Sequence, residues 1–169
     1  MQHFFRRVFL VLLLAWPLIS PASARTVQGE VTHVTDGDTF WLRVPGQPDA
    51  VKVRIQGMDA PEICQPFGVQ SRDALASLLM ARQVRVDTRA RDTWGRLVGR
   101  VAVGGVDAGQ WMVVRGYAWT SHSRRGAGPY AGEEAQARAS RLGLWQVASA
   151  QEPRQFRKRH GSCHDRHRR

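Results

Sequence analysis

The sequence lacks an internal repeat and lacks a hydrophobic run long enough to cross a membrane. The absence of a repeat excludes a solenoid or an array of small modules. The longest apolar run, residues 8–20, is shorter than the roughly 20 residues that a spanning helix needs, which disfavours a membrane anchor. Hydrophobic residues make up 43% of the 169 residues. This fraction argues against a wholly disordered chain, and the length is sufficient for one domain with a substantial core.

The first 24 residues have the pattern of a secretory signal peptide. Arg6 and Arg7 precede the apolar run, and the small residues Ala-Ser-Ala at 22–24 follow it as a cleavage site. Arg25 would then begin the mature chain. We therefore expect the protein to be exported, either to the periplasm or to the extracellular medium, with no membrane span in its mature form.

Lysine is scarce, since only Lys52 and Lys158 are present, and arginine supplies most of the positive charge. The formal net charge is +11, and removal of residues 1–24, which carry two arginines and no acidic residue, would leave +9. Such a charge suits a polyanion, with nucleic acid first and an anionic membrane surface or cell wall second. An arginine-rich genome composition would give the same charge, so charge alone does not identify the partner. No stable protein partner is indicated, and we expect a monomer.

Residues 34–62 carry the carboxylates Asp38, Asp59 and Glu62 and the arginine Arg54 on and around two predicted strands. Apolar and polar residues alternate over residues 40–44 and again over residues 51–56, and the sequence PGQP between them is typical of a turn. The resulting hairpin would bring Asp38 close to Asp59. Neighbouring carboxylates repel each other unless a cation neutralises them, and an arginine beside them can bind a phosphate group. The combination predicts metal-assisted hydrolysis of a phosphate ester.

Three motifs resemble those of the staphylococcal nuclease family, also called thermonucleases. They are DGDT at residues 36–39, R-x4-DAPE at residues 54–62 and D-x-x-G-R at residues 92–96, in the family's order and with its internal spacing. The resemblance covers roughly residues 27–145. It implies an α+β fold that is mainly β, a five-stranded OB-fold barrel with three helices. It also implies calcium-dependent cleavage of DNA and RNA phosphodiester bonds.

The chain divides into a signal peptide at residues 1–24, a nuclease-like domain at residues 25–147 and a basic tail at residues 148–169. The tail is interpreted as an extended arm. Within the domain, the periodicity predicts strands at residues 27–35, 40–44, 51–56, 84–87 and 97–103, and helices at residues 69–82, 107–115 and 133–142.

Asp38 and Asp59 are the predicted metal ligands. Both are hard oxygen donors, and no cysteine or histidine accompanies them in the motifs, which favours calcium, magnesium or manganese over zinc or copper. The family resemblance indicates calcium, with the backbone carbonyl of Ala60 as a third ligand. Many relatives have threonine at that position, and a backbone ligand tolerates the change. Taken alone, Asp38 would be interpreted as a turn aspartate.

Three further side chains are predicted to be catalytic. Glu62 is a candidate general base for the attacking water, or the residue that positions this water. Arg54 and Arg96 would bind the phosphate and stabilise the charge that develops on its oxygens. The alternatives are a loop glutamate after a proline for Glu62 and a surface arginine in a basic protein for Arg96.

The sequence departs from the family in the region that contacts the nucleotide. Relatives carry a pair of tyrosines soon after the second helix, whereas residues 117–124 here offer Trp119, His122 and Arg124. Trp119 and His122 are candidate base-stacking residues, and core packing is the competing interpretation for Trp119. The preference for DNA or RNA therefore stays open.

The only two cysteines, Cys64 and Cys163, are predicted to form a disulfide, because an exported chain reaches an oxidising compartment. Cys64 lies two positions after Glu62, so the bond would hold the basic tail beside the site, where its charge could guide a polyanion. Two free or intermolecular thiols are the alternative. The tail also contains Cys163 with three histidines, at positions 160, 164 and 167, which could bind a transition metal. A solvated basic arm is favoured, because no defined ligand spacing is present.

The leading interpretation is thus a secreted, metal-dependent nuclease. A non-catalytic OB-fold module of the cell envelope that binds nucleic acid is the main alternative. The acidic residues count against that module, because carboxylates at a binding site repel a polyanion. A binding protein of the cell envelope without nucleic-acid function is a third interpretation, and no motif supports it.

Overall fold

Five β-strands form a closed barrel in the computed structural model, which describes residues 25–121, 126–161 and 163. The predicted signal peptide, His122, His164 and His167 lie outside these residues. The barrel strands are β1 (Arg25–Val34), β2 (Thr39–Arg43), β3 (Val51–Ile55), β5 (Gln83–Arg91) and β6 (Leu97–Val103). The short strands outside the barrel are β4 (Met58–Asp59), β7 (Val106–Asp107) and β8 (Trp119–Thr120). The helices are α1 (Gly68–Leu79), α2 (Ala108–Val114), α3 (Ala131–Ala139) and α4 (Pro153–His160), with a short 3-10 helix at Gly143–Gln146.

The barrel is closed by one parallel contact. Antiparallel pairing joins the strands in the order β3-β2-β1-β5-β6-β7, and β3 then pairs with β6 in parallel. In the β2–β3 hairpin Thr39 lies opposite Arg54, and on the other side of β3 Arg54 pairs with Val98. Strands β4 and β8 form a separate two-stranded sheet, in which Asp59 pairs with Trp119. Three predicted site segments therefore meet around Arg54 and Asp59.

The core follows from the alternation of side chains along the strands. Residues that face inward on the barrel strands are almost completely buried, as are the apolar faces of α1 and α2. They include Phe40, Leu42, Val53, Ile55, Val86 and Val101 from the strands, and Leu75, Leu79, Met112 and Val113 from the helices.

Helix α2 is capped by Asp107 as predicted, and α3 spans Ala131–Ala139 rather than the predicted 133–142. The Asp107 side chain accepts a hydrogen bond from the backbone N–H of Gln110 at 3.0 Å, which caps α2. Glu134 and Arg138 pair one turn apart in α3 at 2.7 Å. Oε2 of Glu134 also accepts from the backbone N–H of Thr120 at 2.7 Å, which fixes β8 to α3.

The predicted fold class is confirmed: the protein is α+β, mainly β, with a closed five-stranded barrel. The number of helices differs, because the tail is not an extended arm. Residues Pro153–His160 form α4, in which Pro153 occupies the first turn and both Pro153 and Phe156 are buried. With only these two apolar residues among eight, the helix has almost no periodic signal in the sequence.

Strand β5 is longer than the predicted strand, which ended at Asp87. The register of the β5–β6 ladder shifts between Thr88 and Ala90, and pairing then continues to Arg91. Such a bulge interrupts the alternation of side chains, so the pattern in the sequence stops before the strand does. Within the described residues, no helix combines the length and apolar character that crossing a membrane requires.

Candidate active site

Asp38 is held in a buried turn at the start of β2. Its backbone N–H donates to Oδ1 of Asp36 at 3.0 Å, and its carbonyl accepts from the N–H of Ile55 at 2.9 Å. The hydroxyl of Thr39 donates to Oδ1 of Asp38 at 2.7 Å, and the Asp38 side chain is only 7% exposed. The DGDT turn thus fixes both the backbone and the carboxylate of the first predicted ligand.

Arg54 joins the two predicted metal ligands. Its Nη2 atom lies 3.0 Å from Oδ2 of Asp38 and 2.9 Å from Oδ1 of Asp59. The contact with Asp59 is a charge-assisted hydrogen bond, one of the stronger kinds in a protein, and the contact with Asp38 is an ion pair. The hairpin predicted from the sequence therefore brings these carboxylates together around one guanidinium nitrogen.

Burial and the neighbouring opposite charge have opposing effects on the pKa values of Asp38 and Arg54. Burial raises the pKa of the Asp38 carboxyl to about 7, and the nearby Asp36 and Asp59 add to this increase, while Arg54 opposes it. The Asp38 carboxylate raises the pKa of Arg54, and burial opposes that change. The carboxyl of Asp38 is therefore a poorly solvated group whose charged form depends on a cation beside it.

Glu62 lies in a loop that is fixed at several points. The backbone N–H of Glu62 donates to Oε1 of Gln65 at 3.2 Å, and the N–H of Gln65 donates back to the Glu62 carbonyl at 2.8 Å. A Cβ atom on Gly68 would overlap the Glu62 carbonyl oxygen, so this glycine lets α1 begin directly against the loop. The Glu62 side chain is 14% exposed.

Gly37 allows the other predicted site loop to pack against α1. A Cβ atom at Gly37 would overlap the hydroxyl of Ser71 in α1 and would lie 2.7 Å from the Cβ atom of Ala60. Ala60 itself is 4% exposed. The first turns of α1 therefore support both the Asp38 turn and the segment that contains Asp59, Ala60 and Glu62.

Arg157 of α4 enters the carboxylate cluster formed by Asp38, Asp59 and Glu62. Its Nη1 atom lies 3.0 Å from Oδ1 of Asp59 and 3.0 Å from Oε1 of Glu62, and its Nη2 atom lies 2.8 Å from Oδ2 of Asp59. Burial lowers the pKa of Arg157, but its bonds to Asp59 and Glu62 outweigh this effect and raise it. The sequence placed Arg157 on the rim of the site, as part of the tail, and missed its direct contacts with two site residues.

The sequence signal for this part of the chain is the cysteine pair, which indicated that the tail lies beside the site but did not identify Arg157. The structure contains the predicted Cys64–Cys163 disulfide, with a Cα–Cα distance of 5.9 Å. The backbone N–H of Cys64 lies 3.1 Å from Sγ of Cys163. Because Cys64 is two residues from Glu62, this bond places the end of α4 beside the site.

Arg96 lies immediately before β6. Its Nε atom donates to Oδ2 of Asp92 at 2.7 Å, and its backbone N–H donates to Oδ1 of Asp92 at 3.0 Å. Val98 is the partner of Arg54 in the β3–β6 ladder, and Arg96 lies two residues before Val98. Because side chains alternate between the two faces of a sheet, Arg96 lies on the same face as Arg54. Its ion-pair partner is Asp92 rather than any carboxylate of the cluster.

Comparison with known proteins identifies the family of the chain. Residues 52–147, more than half of the chain, match the family model described as staphylococcal nuclease homologue. The chain belongs to the staphylococcal nuclease family. The matched segment contains Arg54, Asp59, Glu62 and Arg96, whereas Asp38 and helix α4 lie outside it.

Several curated relatives of this family cover most of the chain. Protein ParB of Escherichia coli is 37% identical over 86% of this chain and 87% of its own length. A micrococcal nuclease of Shigella flexneri is 33% identical over 83% of this chain and 86% of its own length. An uncharacterized endonuclease of Escherichia coli O157:H7 is 32% identical over 83% of this chain and 89% of its own length. The chain is therefore similar to these proteins over nearly their whole length.

The donor set around Arg54 suits the calcium ion that the family resemblance implies. Calcium accepts six to eight oxygen ligands, including backbone carbonyls and waters, so two neighbouring carboxylates are sufficient to anchor it. Among the described residues, no three Asp, Glu, His or Cys side chains converge as a metal-binding group. A cation held by Asp38 and Asp59 would therefore be completed by backbone oxygen, with the Ala60 carbonyl as the predicted ligand, and by waters. Magnesium and manganese share this preference for oxygen.

The two predicted nucleotide contacts have different outcomes. Trp119 is 3% exposed and packs edge-on against Trp145 at a centroid distance of 5.1 Å, so it is a core residue and its ring is not available to stack on a base. His122 lies outside the described residues. Trp94 presents an exposed aromatic ring beside Arg96: it is 79% exposed, and its ring centroid lies 5.2 Å from the guanidinium of Arg96. Trp94 was not among the residues predicted from the sequence.

Proposed function

We propose that the protein is an exported, calcium-dependent nuclease that hydrolyses phosphodiester bonds of DNA, of RNA or of both. The observation that carries the proposal is the bridge formed by Arg54 between Asp38 and Asp59, with Glu62 linked to Asp59 through Arg157. A binding surface for a polyanion gains nothing from three carboxylates, whereas a metal-assisted hydrolytic site can use them as metal ligands and as a general base. Membership of the staphylococcal nuclease family supports this interpretation.

Asp38, Asp59 and the carbonyl of Ala60 would hold the calcium ion. The bound ion would supply charge that neutralises the phosphate and favours the hydroxide form of a coordinated water. Asp38 suits the role of a calcium ligand because its buried carboxylate is poorly stabilised by solvent and is stabilised by adjacent positive charge. Magnesium or manganese would be held by the same oxygens, and calcium is proposed from the family resemblance.

Glu62 would take the proton from the attacking water or hold that water in line with the phosphorus atom. The loop from Glu62 to Gly68 is fixed by the hydrogen bonds of Gln65, so the carboxylate has a defined position. Both roles need the side chain at hydrogen-bonding distance from the water, and an amide at this position cannot take the proton of the water.

Arg54 and Arg96 would bind the oxygens of the scissile phosphate. Both contacts of Arg54 with the carboxylates use Nη2, and a guanidinium has further N–H donors for a phosphate. Arg96 is fixed by Asp92 through its Nε atom and lies on the same face of the sheet. Fixed donors of this kind stabilise the charge that develops in the transition state without reorganisation.

Export is supported by two observations. Residues 1–24 have the pattern of a signal peptide. The Cys64–Cys163 disulfide is the kind of bond that persists in an oxidising compartment. The periplasm and the medium both satisfy these conditions, and the protein would act there as a monomer.

The test is to incubate the purified protein with single-stranded DNA and with RNA, in calcium and in excess chelator. We expect fragments with calcium and intact substrate with chelator. Complete cleavage in chelator would contradict the metal requirement. Binding of nucleic acid without cleavage in calcium, magnesium and manganese would instead support the non-catalytic OB-fold module.

A further inference from the structure

Asp59 accepts hydrogen bonds from two arginines at once. Its Oδ1 atom is 2.9 Å from Nη2 of Arg54 and 3.0 Å from Nη1 of Arg157, and its Oδ2 atom is 2.8 Å from Nη2 of Arg157. Arg157 also contacts Glu62. One guanidinium therefore binds a predicted metal ligand and the predicted base together, through a forked geometry that suits oxyanions.

Two connections hold α4 at the site, one at each end of the helix. Before the helix, Nε2 of Gln65 donates to the carbonyl of Gln151 at 2.6 Å. After the helix, Cys163 is bonded to Cys64. Residues 64 and 65 are adjacent in the chain and lie close to Glu62, so both ends of α4 are attached to the loop that carries the predicted base.

The buried side of α4 reinforces these connections. Phe156 is 7% exposed, and the Arg157 side chain that follows it is 31% exposed, whereas Arg154, Lys158 and Arg159 are exposed to solvent. Arg157 is thus the basic residue of α4 that the packing of Phe156 directs into the carboxylate cluster. Its position follows from the docking of the helix rather than from general charge attraction.

The charges of the carboxylate cluster and its two arginines indicate how Arg157 would respond to a bound cation. Three carboxylates, Asp38, Asp59 and Glu62, form ion pairs in this structure with two guanidinium groups, Arg54 and Arg157. A divalent cation on Asp59 would compete with Arg157 for the same oxygens, and the two positive charges would repel each other. Arg157 would have to leave Asp59, but the attached helix keeps its guanidinium within reach of the site.

We propose that Arg157 is a further substrate-binding residue, which exchanges the Asp59 and Glu62 carboxylates for a phosphate of the nucleic acid strand when a divalent cation binds. A phosphate bound beside the cation would supply the negative charge that Arg157 loses. The proposal rests on the proposed nuclease function. It assigns two opposite effects to one side chain: Arg157 weakens binding of the cation alone and strengthens binding of the substrate.

Arg157→Gln tests both effects, with Arg154→Gln as the matched control on the exposed side of the same helix. Calorimetric titration with calcium, without nucleic acid, should show about tenfold tighter calcium binding to Arg157→Gln, as expected when a charge-assisted contact to a ligand is removed. Steady-state cleavage of single-stranded DNA should show KM raised about tenfold with a smaller change in kcat. Arg154→Gln should change each quantity less than threefold.

The outcomes separate three accounts. Unchanged calcium affinity and unchanged KM in Arg157→Gln would overturn the proposal while leaving the nuclease function intact. Weaker calcium binding together with a raised KM would also overturn it, because it would indicate damage to the fold, and Arg157→Lys should restore KM in part if charge is what matters. If the parent protein binds no calcium and cleaves no nucleic acid, the proposed function fails and the proposal fails with it.

Discussion

Arg96 is positioned by Asp92, which binds it twice: the Nε atom of Arg96 donates to Oδ2 at 2.7 Å and its backbone N–H donates to Oδ1 at 3.0 Å. Hydrogen bonds to Asp92 outweigh its partial desolvation and lower the pKa of the carboxyl. The same carboxylate accepts from the backbone N–H of Trp94 at 3.0 Å. A single aspartate thus shapes the turn before β6 and orients the predicted phosphate-binding arginine.

Asp92→Ala should therefore lower kcat although Asp92 touches no reacting atom in the proposed mechanism. We expect a decrease of about ten- to a hundredfold, the size of effect that misplacement of a catalytic group by about 1 Å produces. Asp73→Ala is the control, since Asp73 is exposed and pairs with its neighbour Arg72. An Asp92→Ala enzyme with the parent kcat would mean that Arg96 does not depend on this contact.

Arg96→Ala should be more damaging than loss of a nearby arginine outside the predicted site. We expect kcat to fall by about a hundred- to a thousandfold, as for removal of a fixed donor that stabilises the transition state. Arg91, at the end of β5, hydrogen-bonds to the Gly95 carbonyl in the same turn, and Arg91→Ala should reduce kcat only a few-fold. Equal losses in the two variants would show that net charge, rather than position, determines the rate.

Asp38 should make the metal-free protein less stable as the pH rises. Its folded-state pKa of about 7 exceeds the ordinary value of 3.8, so between these values the native state holds more protons than the unfolded chain. The stability that Asp38 contributes is therefore present at low pH and is lost as the pH rises towards 7. Asp36, Arg54 and Asp59 are the charged groups that face it.

Asp38→Asn removes this titration. In the presence of chelator, its free energy of unfolding should rise relative to the parent by about 1 kcal/mol per pH unit between pH 5 and pH 7, an order-of-magnitude value. Denaturant unfolding at several pH values measures the difference. Parallel stability profiles for the two proteins would show that burial does not shift the Asp38 carboxyl in this way.

The Cys64–Cys163 bond closes a long loop, with a sequence separation of 99 residues. In the chain-entropy account such a bond contributes about 4–5 kcal/mol, and native-state strain reduces this figure. We expect the Cys64→Ser, Cys163→Ser double variant to lose about 2–5 kcal/mol in its free energy of unfolding. Alkylation followed by intact-mass measurement of the unreduced parent should find no free thiol, and two alkylated cysteines in the monomer would contradict the pairing.

The elements close to the site follow directly from local sequence. Alternation over residues 40–44 and 51–56 predicts the hairpin, and the structure pairs Thr39 with Arg54 at its site end. The backbone of β3 then places Arg54 between Asp38 and Asp59 without help from distant residues. These positions were predictable because strand geometry and a short turn determine them.

The contribution of α4 was not predictable from the same signals. Its two buried residues, Pro153 and Phe156, are three positions apart, and a single helical spacing is too short a pattern to predict a helix among six polar or charged residues. The helix is held by contacts with residues 64 and 65, about 90 residues earlier in the chain. The only sign of this long-range attachment in the sequence is the pair of cysteines. The pair predicted that the tail lies beside the site, but it did not predict the contacts of Arg157.

The central claim is that the carboxylate cluster performs metal-dependent hydrolysis, and Glu62 tests it most directly. The measurement is the initial rate of single-stranded DNA cleavage in saturating calcium for Glu62→Gln. Glu133→Gln, on α3 away from the cluster, is the matched control, since its contact with Gln110 is tolerant of an amide. The account predicts a rate about two to four orders of magnitude below the parent for Glu62→Gln and a near-parental rate for Glu133→Gln. A Glu62→Gln rate within a few-fold of the parent would contradict it.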